Sequence, residues 1–141
     1  LGGAPAEQVA RFAEAGLRLG EAFQIRDDVL GVWGVAATMG KPTAEDIKSR
    51  KQALPIALAR AAATPEQRAR LEELYRLPRI TAAAVREVLA VFDALDVQAN
   101  AQAIARRAAQ QAIEALDATG LHNPAMDQLR ALATFAVERE H

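Results

Sequence analysis

No cysteine occurs in the 141 residues, and there are two histidines, His122 and His141. A disulfide framework, a thiolate nucleophile and a cysteine-ligated metal are therefore excluded, and two histidines are too few for a zinc cluster. Aromatic residues are scarce, with one Trp, one Tyr and four Phe. Neither sign of charge is in excess. The formal net charge is −1 and the pI is near 6.2, which gives no electrostatic reason to expect a nucleic acid or an anionic membrane surface as partner. No apolar run approaches the ~20 residues that span a bilayer, and no signal-peptide pattern opens the chain. The expectation is a cytoplasmic protein without stable membrane insertion.

What the chain has in quantity is alanine, about a quarter of all residues, with only 6 prolines and 8 glycines. That balance points to an all-α protein, and the length suits one helical unit over residues 1–141. The periodicity predicts a first helix from Pro5 to about Leu30. Arg11, Glu14, Arg18 and Glu21 give it a solvated face. Val9, Ala13, Gly16, Leu17 and Gly20 give it a stripe of small apolar residues, which Gln24, Asp27, Asp28 and Gly31 extend. A loop is expected from Gly31 to Pro42, then a short helix capped by Thr43 in which Ile47, Lys51 and Leu54 share a face. Further helices are expected over 55–63, 65–76 (with Thr64 and Gln67 as a capping box), 81–95, 98–117 and 124–140. Phe92 and Phe135 read as core, Trp33 as a loop anchor, and Phe12 and Leu19 as candidates for a dimer contact.

The adjacent acids in "FQIRDDVLGVWG" interrupt the pattern. Two carboxylates on consecutive helical residues are costly against a core unless they are paired or hold a cation. An oxygen site with one or two carboxylates suits magnesium, which keeps much of its water and takes phosphate oxygens as further ligands. Lys41, in a glycine-flanked loop, and Lys51, beside apolar neighbours, would add ammonium groups. Acids holding a metal beside lysines make a diphosphate site, in which metal and lysine charge stabilise a leaving anion. The plain alternative is that the acids pair with Arg26 or Arg50.

The run FQIRDD at 23–28, followed by GKPTAEDIKSRKQALP at 40–55, resembles the second aspartate-rich region of the trans-type polyprenyl diphosphate synthases. That region reads FQxxDDxxD, then GKxxxxD, then a lysine before Leu-Pro. The resemblance continues through LGGA and GEAFQ upstream and LRALATFAVERE downstream, and it corresponds to the C-terminal half of such an enzyme. It implies the C-terminal part of an all-α isoprenoid synthase bundle, homodimeric when whole. It further implies that Asp27 ligates Mg2+ with Asp28 in support, that Gln24 and Phe23 lie at the diphosphate, and that Lys41 and Lys51 grip it. The implied reaction is ionisation of an allylic diphosphate and attack by isopentenyl diphosphate, giving a longer trans-prenyl diphosphate. Two positions depart from the pattern: Gly31 stands where the third aspartate is expected, and Ala53 replaces a common threonine. The family's first aspartate-rich motif is not in this sequence, so the chain by itself is expected to be inactive. Two other readings stay open, a non-catalytic helical subunit of the same fold and a class I terpene cyclase.

Overall fold

The computed structural model describes residues 3–35 and 43–138, and the regular elements among them are seven α-helices. In chain order these are α1 (Ala6–Trp33), α2 (Glu45–Lys48), α3 (Leu54–Ala62), α4 (Pro65–Arg76), α5 (Ala82–Ala94), α6 (Val97–Asp117) and α7 (Pro124–Glu138). None of them is long and apolar enough to cross a membrane. The all-α expectation holds, and local chemistry explains several boundaries. Thr64 accepts from the Gln67 N–H while Gln67 returns a side-chain bond to the Thr64 N–H, so the capping box of α4 is complete. Thr81 caps α5, and Asn123 accepts from the Met126 N–H at the start of α7. Gly120, at φ 68°, provides the left-handed residue between α6 and α7.

The chain divides into two compact units, with boundaries inside α1 after Arg26 and inside α6 after Gln102. The first unit draws on residues 3–26 and 103–138. Its core is small: Ala15, Ala115, Leu116 and Met126 form one cluster with Phe12, Leu121 and Leu129 against it, and Ala22, Ala108 and Ala109 form another. Gln8 ties the two chain segments further by donating to the Thr119 carbonyl at 3.2 Å. The second unit, residues 27–35 and 43–102, holds the larger core. In it Val32, Ile47, Ile56, Leu71, Leu74, Val88, Phe92 and Val97 are almost fully buried, α3 packs on α4 and α5, and α2 packs on α5.

Several expectations are corrected. The first helix does not stop at Leu30 but runs through Gly31 to Trp33, where the Gly34 N–H still reaches the Leu30 carbonyl at 2.8 Å. The small-residue stripe of α1 faces outward: Val9 is 56% and Leu17 69% exposed, and Ala13, Gly16 and Gly20 are exposed with them. The buried face is instead Ala15, Ala22, Ile25, Val29 and Val32. Phe12 packs inside the first unit, and with Leu19 it lines an apolar cavity of 110 Å³ there. Phe135 is half exposed rather than core. Trp33 is an anchor, but from the last turn of a helix, its ring 5.9 Å from that of Phe92.

Candidate active site

The two adjacent acids have opposite environments. Asp28 is buried and Asp27 is exposed. Both oxygens of Asp28 are engaged: Oδ1 accepts from the Lys51 ammonium at 2.9 Å, and Oδ2 accepts from the Leu54 N–H at 3.1 Å. Leu54 is the first residue of α3, a helix whose own N-cap, Ala53, has no side chain to offer its free N–H groups. Asp28 therefore caps α3 from α1, placing a negative charge at the positive end of that helix. A buried acid on this stripe is stable because one partner is a cation and the other a helix terminus.

Lys51 reaches Asp28 through the way α2 ends. The Lys51 N–H bonds to the Asp46 carbonyl and the Arg50 N–H to the Ile47 carbonyl, the paired bonds of a Schellman motif, with Arg50 at φ 56° in the left-handed position. Helix α2 thus closes after one turn, and Ile47, Lys51 and Leu54 do not share a helical face as the spacing predicts. The left-handed step turns the chain back, so that the Lys51 ammonium lies between Asp28 and Asp46, 3.2 Å from Asp46 Oδ2. Asp28 is the chief reason the Lys51 ammonium holds its proton above the ordinary lysine value; partial burial opposes this and Asp46 adds to it.

Arg50 pairs with neither motif acid. Its guanidinium donates to the carbonyls of Tyr75, Leu77 and Pro78 at the end of α4. The expected N-cap of α2 is also corrected. The capping position is taken by Ala44 in the left-handed region, and the Thr43 N–H bonds back to the Gly34 carbonyl.

Which carboxylate oxygens remain open decides whether these side chains fit a magnesium ion. Asp28 has none, and Asp46 Oδ2 is closed off from solvent against Lys51. Asp27 projects from the surface with no hydrogen bond or ion pair among the described residues. No group of three or more acids and histidines able to hold a metal occurs among those residues. One open carboxylate suits an ion that fills its shell with water and phosphate oxygens, and does not suit an all-protein cage.

The structure brings Asp28 and Lys51 together in the second unit, and leaves Asp27 exposed next to Asp28 in the chain. Phe23 and Gln24 stand on the earlier stretch of α1, in the first unit, both at the surface. Lys41 lies outside the described residues. Sequence reasoning missed Asp46 as the second acid on Lys51. It missed Leu54 because a backbone N–H has no signature in sequence.

The described residues form an all-α scaffold in which Asp28 and Asp46 share Lys51. The family model for polyprenyl synthetases matches residues 1–95, and the chain belongs to that family. It is 31% identical over 143 residues to (2E,6E)-farnesyl diphosphate synthase of Mycobacterium bovis, covering 99% of this chain and 40% of that protein. Among solved structures, a decaprenyl diphosphate synthase from Rhodobacter capsulatus superposes with a TM-score of 0.85 at 27% identity, covering 99% of this chain and 42% of that one. A geranylgeranyl pyrophosphate synthase from Corynebacterium glutamicum, complexed with isoprenyl diphosphate and magnesium, gives 0.80 at 26%, covering 97% and 39%. The chain thus spans about two fifths of the length of these relatives.

Proposed function

We propose that this chain carries the second aspartate-rich half-site of a magnesium-dependent trans-prenyltransferase, forming the C-terminal half of an enzyme that joins an allylic diphosphate to isopentenyl diphosphate. The observation that carries the reading is the contrast within the acid pair: Asp27 open at the surface, Asp28 locked to Lys51 and to the N-terminus of α3. Membership of the family and the magnesium-bound relative support it.

In this reading Asp27 holds magnesium and Asp28 stays out of the coordination shell. Magnesium, when bound, offsets the negative charge that builds on the departing diphosphate. Asp28 sets the position of Lys51. The lysine ammonium has three N–H donors; one bonds Asp28, Asp46 lies 3.2 Å away as an ion-pair partner, and the 46% exposed side chain leaves a donor for a phosphate oxygen. Lys41, Gln24 and Phe23 complete the diphosphate contacts, and the whole enzyme acts as a cytoplasmic homodimer.

The test is turnover of radiolabelled isopentenyl diphosphate with an allylic primer and magnesium. The full-length gene product is expected to elongate the primer and to stop when the metal is chelated, and the 141-residue chain to be inactive. Absence of any elongation by the full-length protein would overturn the reading.

A further inference from the structure

Lys51 is held by its neighbours in the chain as well as by the acids it meets. Arg50, just before it, takes the left-handed conformation at φ 56°, which an arginine adopts only against a steric cost. Its guanidinium donates to three carbonyls at the end of α4: Nε to Tyr75 at 3.0 Å, and Nη2 to Pro78 at 3.1 Å and to Leu77. Backbone oxygens at a helix end lack partners within the helix, so a cation there both bonds them and meets the negative end of the dipole. Gln52, just after Lys51, donates to the Arg50 carbonyl at 3.1 Å and accepts from Arg60 of α3. Arg60 in turn pairs with Glu72 of α4 at 2.8 Å and lies over the Tyr75 ring. The two flanking side chains thus fasten the turn to α3 and α4, while the Lys51 side chain between them goes to Asp28 of α1.

We propose that Arg50 is a positioning residue for Lys51: anchored on the end of α4, its guanidinium holds the left-handed turn from which the lysine ammonium reaches Asp28 and a bound phosphate oxygen. A glycine would make the same turn without strain, but without the tie to α4. Arginine accepts the strain and supplies the tie. The tie matters because α2 has only 4 residues, too few to hold the turn by its own hydrogen bonds. The inference rests on the diphosphate reading above, but one of its readouts needs no ligand.

Wild type, Arg50→Ala, Lys51→Met and the double variant are compared as the full-length gene product, below the melting temperature of each. Calorimetry gives the affinity for inorganic pyrophosphate with excess magnesium. Lys51→Met is expected to weaken it about tenfold, the scale of one charge-assisted bond, and Arg50→Ala about fivefold, because the ammonium is then out of place for much of the time. The two losses should not multiply: with Arg50 already replaced, Lys51→Met should add about twofold or less. Losses that multiply would overturn the proposal, as would an Arg50→Ala protein that binds like wild type. If Arg50→Ala does not fold, Arg50→Gly, which keeps the turn and loses only the tie, takes its place with the same coupling at smaller amplitude. The measurement without ligand is trace acetylation read by mass spectrometry. Lys51 should react several times faster in Arg50→Ala than in wild type, with the exposed Lys48 unchanged as the internal reference; equal rates at Lys51 would also overturn the proposal. A wild type that binds no magnesium pyrophosphate would refute the diphosphate reading, and the acetylation comparison would still decide whether Arg50 holds Lys51 in place.

Discussion

Consecutive residues of one helix, Asp27 and Asp28, have unlike tasks, and substitutions separate them. Asp27→Ala removes an exposed side chain with no partner among the described residues, so stability should stay within ~0.5 kcal/mol. If Asp27 holds the metal, turnover by the full-length protein should fall roughly 100-fold or more, the scale seen when one preorganised charge-stabilising group is lost. Asp28→Ala removes both the partner of Lys51 and the cap of α3. Urea unfolding should show a loss of ~2 kcal/mol, held to that figure because Lys51 is half exposed and its ion pair is partly screened. Equal effects of the two changes on stability would refute this division. The sequence displayed both acids and their oddity on an apolar stripe, but not which was sealed, because adjacent helical residues differ by only 100° in direction. Asp46 was equally visible as a letter; its pairing with Lys51 depends on a backbone turn that helical periodicity cannot express.

That turn belongs to the scale of elements. Arg50 adopts the left-handed conformation that glycine holds at many helix ends, at a backbone cost of ~1 kcal/mol. Its guanidinium offsets that cost by bonding three carbonyls at the end of α4, where a cation also favours the helix dipole. Arg50→Ala should therefore cost ~2 kcal/mol, since it keeps the strain and frees the carbonyls, while Arg50→Gly should cost about 1 kcal/mol less. Chemical denaturation of the two variants checks the order, and an alanine variant as stable as the glycine one would contradict it. Glycines within α1 divide in the same manner. An added Cβ meets nothing within 4 Å at Gly16 or Gly20, so alanine at either position should stabilise the chain by ~0.5–1 kcal/mol, read as a melting point a few degrees higher. At Gly31 an added Cβ would instead meet the Asp46 carboxylate within 2.6 Å, so that side chain would have to move.

For the molecule as a whole, pH probes the larger core. Burial pushes the Tyr75 hydroxyl up to about 12; nearby Arg60 lowers it slightly and Asp46 raises it. A tyrosine whose folded value is raised binds its proton more firmly when folded. Above pH 10 the unfolded chain gives up that proton first, so stability falls with rising pH. The raised Lys51 acts in the same direction, its contribution complete below about 10.5 and lost as pH climbs through the folded value. Thermal melts between pH 9 and 12 should show a progressive loss, about 2–3 kcal/mol from Tyr75 once its proton is lost in both states. An alkaline limb that Tyr75→Phe does not flatten would contradict this assignment.

The sequence by itself determined the all-α class, the starts of α4, α5 and α7, the family, and the residue types of the candidate site. These are local or patterned properties, set by helical period, capping chemistry and motif spacing. It misjudged which face of α1 is buried, because both faces carry small apolar residues and only the Ala15, Ala22 and Val29 side met a partner. It also took Phe135 for core on periodicity alone, whereas the side chain is half exposed. The tertiary structure alone decided that Asp28 caps a helix 26 residues away and that Lys51 is shared with Asp46. Each depends on where a distant backbone turns, and only packing the chain against itself selects that turn.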